Sequence, residues 1–288
     1  MRLGLHALGI GAGARPEIIR AVAAEAERSV FARLWVGEHV VMIDSPASRY
    51  PYSADGRIAV PAIADWLDPM LTLTYAAAAT SQIELSTGIL LLPEHNPVTT
   101  AKRAATLDVL SSGRFTMGIG IGWLAEEFAA LGVPFSGRGR RTREYVDAMR
   151  VLWRDDISSF AGEFVQFDSI RVYPKPVARR IPIIMGGNSE TALARASSYC
   201  DGWYGFNVPV AEIGQKVAAL ISQCHAHGRS PEQFTIAVAP TDATPSDLPE
   251  LARCGVTELV VVAEPPDQAA DVPAWIGDLA AQWSGFDS

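Results

Sequence analysis

The chain has 288 residues, of which 49% are hydrophobic and 19% charged, and its 24 basic and 32 acidic side chains leave a formal charge of −8. That supports a sizeable core and argues against disorder, while the acidic balance, with no basic stripe, argues against nucleic acid. No apolar run approaches the roughly 18 residues of a membrane helix, and the opening MRLGLHALG lacks a signal-peptide core, so a cytoplasmic chain without membrane contact is expected.

In chain order, short β-branched or aliphatic runs predict strands at residues 2–8, 33–39, 83–92, 114–121, 181–186, 202–206, 234–239 and 258–263. Ala-rich, helix-periodic stretches separate them, at residues 16–29, 69–80, 97–110, 138–153, 189–199, 211–225, 247–254 and 273–283. Pro16, Pro69, Pro97 and Pro273 stand where helices begin, the position at which a missing N–H costs nothing. Strands alternating with helices imply parallel pairing, and eight of each predict a (β/α)8 TIM barrel in one domain, residues 1–288. Two insertions interrupt the rhythm. The first, residues 40–68 after strand two, is long enough to be functional. The second, residues 154–180 before strand five, contains the alternating segment Phe164 to Tyr173 and reads as a small extra hairpin.

The C-terminal strand ends, where barrel enzymes carry their chemistry, hold four features. Strand two runs into Glu38-His39, a carboxylate beside an imidazole; the pair could handle protons or touch a cofactor, or could equally be a loop cap and a half-exposed ring. Strand three carries Thr87-Gly88-Ile89, where a glycine inside a strand marks a bulge or a close approach. Strand four ends Gly118-Ile-Gly120-Ile-Gly122-Trp123, and alternate glycines would let a planar ring lie against backbone. Their spacing fails the dinucleotide fingerprint. Strand five ends Gly186-Gly187-Asn188-Ser189 before a helix, so free N–H groups and about half a positive charge from the dipole make an anion seat, or else a plain helix cap.

Weaker signals are set aside. Gly9 to Ala14 loosely fits G-x-G-x-x-A, but the acid that a Rossmann fold needs stands too far on. Arg138, Arg140, Arg141 and Arg143 are expected to open a solvated helix and pair with Glu126, Glu127 or Glu144. His225 and His227 fall on different helix faces, and Cys200, Cys224 and Cys254 are far apart, so neither a metal site nor a disulfide framework is expected.

Taken together, Thr87-Gly-Ile-Leu-Leu-Leu-Pro93, Asn96-Pro97, Ala101-Lys102, Ala105-Thr-Leu-Asp108, Ser112-Gly-Arg-Phe115, Gly118-Ile-Gly-Ile-Gly-Trp123, Glu126-Glu-Phe128, Leu131-Gly-Val-Pro-Phe135, Gly186-Gly-Asn-Ser189 and Asp201-Gly-Trp203 resemble the bacterial-luciferase-like flavin oxidoreductases. The resemblance implies a barrel, often homodimeric, with a flavin or deazaflavin at its C-terminal mouth, and looks closest to the subgroup assigned the deazaflavin coenzyme F-420. It places a non-prolyl cis peptide at Gly88–Ile89, a ring against Thr87, Gly88, Ile89, Gly120 and Gly122, a phosphate at Gly186, Gly187, Asn188 and Ser189, and the catalytic acid and imidazole at Glu38 and His39. Ile121 stands where luciferase has a phosphate-binding arginine, and Trp123 where sugar-phosphate dehydrogenases have a catalytic Glu. The implied activity is hydride transfer between F-420 and a small organic substrate. The alternatives are an FMN monooxygenase fed by a separate reductase and a non-catalytic binder of either cofactor.

Overall fold

The computed structural model describes residues 1–283. The chain runs β1 (Arg2–His6), α1 (Pro16–Arg28), β2 (Phe31–Val36), α2 (Pro69–Ala77), β3 (Glu84–Thr87), β4 (Leu90–Leu91), α3 (Pro97–Leu110), β5 (Phe115–Gly120), α4 (Ala125–Ala130) and α5 (Arg138–Arg154). It continues through β6 (Ser158–Ala161), β7 (Gln166–Ile170), β8 (Ile183–Gly186), α6 (Glu190–Tyr199), β9 (Gly202–Val208), α7 (Val210–Ala226), β10 (Thr235–Pro240), α8 (Leu248–Cys254), β11 (Glu258–Val262) and α9 (Val272–Trp283). Around the ring the order is β1, β2, β3, β5, β8, β9, β10, β11 and back to β1, all parallel, which closes the (β/α)8 barrel. Closure also removes the open-sheet crevice that a Rossmann reading of the Gly9 to Ala14 segment would require.

The predicted third strand is broken into β3 and β4 at Gly88–Ile89, where the peptide bond is cis. The extra hairpin of β6 and β7 precedes β8, with its turn at residues 162–165. The alternating sequence signal covered only its second arm. The short helix α4 carries no periodic signal and was not anticipated.

Helix starts follow side-chain chemistry. The Asp68 carboxylate accepts from Leu71 N–H, Asn96 Oδ1 from Val98 and Thr99 N–H, and Ser189 Oγ from Ala192 N–H. The apolar faces of the helices pack on the outside of the barrel around Leu5, Leu34, Leu85, Met117 and Ile183. The barrel interior holds Trp35, Ile184, Tyr204, Ala237 and Val260, with Ile89 and Phe206 above them toward the mouth. Trp35 stacks on Tyr204 with centroids 4.6 Å apart and donates through Nε1 to Glu258 Oε1 at 2.7 Å. A Cβ on Gly4 would stand 2.7 Å from Trp35 Nε1, so the wide indole fixes glycine there. Among the described residues no helix is long and apolar enough to cross a membrane.

Candidate active site

At the C-terminal ends of the strands the barrel opens into a cavity of about 1250 Å³, walled by the strand ends and roofed by residues 50–66. Gly88, Ile89, Gly120, Gly122, Gly186, Gly187, Asn188, Ser189, Glu38 and His39 all reach its wall. Thr87 does not. Its side chain is fully buried and its hydroxyl donates to Gly118 carbonyl at 2.6 Å, so it braces the strand-three bulge from behind.

The neighbours Glu38 and His39 turn to different partners. His39 Nδ1 lies 2.8 Å from Glu127 Oε2, while Glu127 Oε1 accepts from Val40 and Val41 N–H at 2.6 and 3.1 Å. Glu127 is therefore the group that orients the imidazole, and Nε2 is left with no partner among the described residues in a ring that lines the cavity. Glu38 instead accepts from Leu91 N–H at 2.6 Å and faces His95 Nε2 at 3.0 Å. Burial opposes charge on His95, but the Glu38 carboxylate outweighs it and raises the ring above its ordinary value. Between these pairs lies Glu94, 8% exposed, with both carboxyl oxygens buried and unpartnered. Burial, then repulsion from Glu127 and Glu38, pushes Glu94 up to about 9, so it is a neutral acid at pH 7. No sequence signal points to Glu94 or His95, and Glu127 carries no signal for this role beyond a candidate ion pair and its place in the Glu126-Glu-Phe128 motif. The contacts join residues about 55 and 90 positions apart, beyond any local pattern.

The strand-four glycines serve the chain itself. A Cβ on Gly118 would stand 2.0 Å from Thr87 carbonyl, and one on Gly120 would stand 2.2 Å from Ile89 Cδ1. The bulge fills the space that the glycine spacing suggested was clear for a ring, and the Ile89 side chain forms the floor there. Gly122 has φ +76°, and a Cβ on it would strike the Phe128 ring at 2.5 Å and lie 3.2 Å from Glu94 Oε1. Only glycine joins the floor to the acid beneath it.

The opposite wall is cationic. Gly187, at φ +111°, turns the chain into the N-terminus of α6, where Asn188 Nδ2 donates to Phe206 carbonyl at 2.7 Å and Asn188 Oδ1 is buried without a partner. Lys216 Nζ donates to Asn188 carbonyl at 3.2 Å. Arg138 and Arg195 line the same wall, and neither is in an ion pair among the described residues. Burial, then the positive Arg195 nearby, lowers Arg138 below the ordinary guanidinium value. Two mutually repelling cations beside a helix N-terminus make this wall electropositive, whereas the unpartnered Asn188 amide oxygen can only accept a hydrogen bond.

The arginine cluster departs from its expected pairing. Arg138 donates to Gly122 carbonyl and stacks on Phe135, and Arg141 is buried and donates to Pro134 and Ser136 carbonyls. Arg140 pairs with Glu163 and Arg143 with Asp147. Glu126 and Glu144 instead accept backbone N–H groups of distant loops, residues 47–48 and 163–165. A half-exposed carboxylate such as Glu126 or Glu144 gains more from fixed N–H donors than from a mobile exposed guanidinium.

The roof is aromatic and anchored. Tyr50 packs on Tyr52 and on Trp123, Tyr52 on Phe206, and Trp66 on the His39 ring at 4.9 Å. Trp66 Nε1 donates to Gly37 carbonyl, and Leu67 N–H to Gly9 carbonyl. These rings exclude water from one side of His39. His6, at the end of β1, also lines the cavity; the strand-end rule applied to β1 would have found it.

The family model for luciferase-like monooxygenase matches residues 3–271. An uncharacterized protein of Mycobacterium tuberculosis is 36% identical over 265 residues, which cover 91% of this chain and 92% of that one. The FMNH2-dependent dimethylsulfone monooxygenase of Pseudomonas putida is 31% identical over 207 residues, covering 68% of this chain and 54% of its own length. Among solved structures, the coenzyme F-420-dependent tetrahydromethanopterin reductase from Methanopyrus kandleri superposes with a TM-score of 0.75 at 18% identity, over 96% of this chain and 97% of that one. An F-420-dependent secondary alcohol dehydrogenase in complex with an F-420–acetone adduct gives 0.75 at 17% identity, over 96% and 98%.

Proposed function

The chain belongs to the luciferase-like monooxygenase family, and on that premise we propose that it is an oxidoreductase moving a hydride between the deazaflavin coenzyme F-420 and a small organic substrate. One observation carries the reading. A single cavity joins a carboxylate-backed imidazole, His39 on Glu127, to a wall with Arg138, Arg195 and the α6 N-terminus, behind which Lys216 pairs with Glu212. The F-420 tail carries carboxylates beyond its phosphate, and two arginines at one wall suit such a tail better than they suit a lone phosphate. When bound, the deazaflavin supplies a ring carbon that accepts or donates a hydride.

The chain's own residues do the rest. Gly186, Gly187, Asn188 and Ser189 with the two arginines would hold the anionic tail, and the bulge at Gly88 and Ile89 would support the ring. Glu127 fixes His39 so that Nε2 can take or give a proton at the substrate. Glu38 fixes strand-three backbone at Leu91 and so acts as a positioning residue for the bulge. Tyr50, Trp66 and Trp123 make an uncharged wall suited to an uncharged substrate. A homodimer is part of the same reading, to be checked by sedimentation equilibrium.

The second reading is an FMN monooxygenase fed by a separate reductase, favoured by the likeness to the dimethylsulfone monooxygenase. Titrating the apoprotein with F-420 and with FMN decides between them. F-420 should bind at micromolar strength or better, and Arg138→Ala and Arg195→Ala should each weaken it about tenfold. Tight FMN binding with no uptake of F-420 overturns the first reading.

A further inference from the structure

The cavity holds a second imidazole that the reading above does not use. His6 ends β1 beside the strand that leads to His39, and its ring is half-buried at the cavity wall. Its Nδ1 lies 3.2 Å from Tyr204 Oη, and Nε2 has no partner among the described residues. A Cβ on Gly37 would stand 3.4 Å from Nε2, so glycine there keeps that nitrogen uncovered.

Tyr204 decides the tautomer. Its ring is 1% exposed and stacked on Trp35, and burial, then Glu258 and Tyr50, holds the phenol far above its ordinary value. A buried phenol that never ionises must place its proton on an acceptor, and His6 Nδ1 is the acceptor it meets. The reverse arrangement, with Nδ1–H donating to the phenol oxygen, would leave the O–H unpaired in the barrel interior. Accepting at Nδ1 places the ring's one hydrogen on Nε2. The ring also stays uncharged, because burial alone pushes His6 down to about 4, and no carboxylate offsets it. The groups facing it are Tyr204, the Phe206 ring 6.0 Å away and the backbone around Gly37.

We propose that His6 is a fixed neutral donor whose Nε2–H binds the oxygen of an uncharged carbonyl substrate, a ketone or aldehyde, on the same wall as His39. This substrate class rests on the oxidoreductase reading. The two imidazoles divide the work. His39 stands on a carboxylate and can exchange a proton, whereas His6 stands on a phenol and polarises the bound oxygen without giving its proton up.

The test uses the full apoprotein, so it stands whichever cofactor binds. Long-range nitrogen–proton correlation on histidine-labelled protein should show His6 protonated at Nε2 from pH 6 to 9, with a mixture of tautomers in Tyr204→Phe. Cyclohexanone should shift the His6 Nε2 signal, whereas methylenecyclohexane, of the same shape but lacking the oxygen, should not. The affinity for cyclohexanone should fall about tenfold or more in His6→Phe and be restored in part by His6→Gln, whose amide offers a similar donor. Wild-type His6 protonated at Nδ1, or equal responses to ketone and alkene, would overturn the proposal. Failure of F-420 and FMN to bind would sink the cofactor reading and leave this result standing.

Discussion

Two buried charge clusters lie at opposite ends of the barrel, and they are neutralised by different means. At the N-terminal end, Arg33 pairs with Glu84 and Glu258, Arg2 with the same Glu84, and Trp35 donates to Glu258. The cations there are guanidinium groups that do not titrate. At the mouth, among the described residues, Glu38 and Glu127 are matched by His95 and His39, and Glu94 has no partner. Permanent charges lock the lower interior; titratable ones near the cavity leave protons free to move.

The contrast can be broken at its sharpest point first. His39→Asn should lower turnover about 10²- to 10⁴-fold while cofactor affinity stays within a few-fold, measured by steady-state kinetics and equilibrium titration. Equal losses in both would assign the ring to binding. At the other end, Arg33→Ala leaves Glu258 buried beside an absent cation, while the half-exposed Glu84 keeps Arg2, and should cost about 3–5 kcal/mol in urea unfolding. A loss below about 1 kcal/mol would show that the lower cluster is less tightly locked than its geometry indicates. The smallest effect has the opposite sign. Glu94 titrates at about 9 in the fold against an ordinary 4.5, so between those values the native state holds a proton that the unfolded chain has released. Stability must fall as pH rises through that window. Glu94→Gln cannot ionise, so it should be more stable than the wild type at pH 8 by about 1–3 kcal/mol, with a flatter pH dependence from pH 5 upward. An unchanged slope would mean that Glu94 finds a cation not seen here.

Strand order and helix boundaries were legible because each barrel element repeats its apolar period over enough residues to read. Helix α3, for example, begins at Pro97 and ends at Leu110, as the pattern predicts. The site was legible in part. Glycines and polar residues at strand ends marked the cavity wall at Gly88, Gly122 and Gly187, but not what stands next to them. Gly120 reaches the cavity wall, but its missing side chain is explained by Ile89, which stands where a Cβ would be. The Arg138 group looked like surface ion pairs, yet Arg138 itself lines the cavity. A glycine in a sequence reports that something is near, without saying whether it is chain or ligand.

The sequence by itself determined the barrel, the strand ends that line its mouth, and the start of α6 at Ser189, since all three follow from local periodicity and capping. Only the tertiary structure decided the pairings, because closing the ring brings together residues that no short-range pattern relates. His39 with Glu127, His6 with Tyr204, and Glu94 with no partner are outcomes of burial in a shared interior. There the cost of an unsatisfied charge or proton is set by whichever side chains the opposite strands happen to deliver.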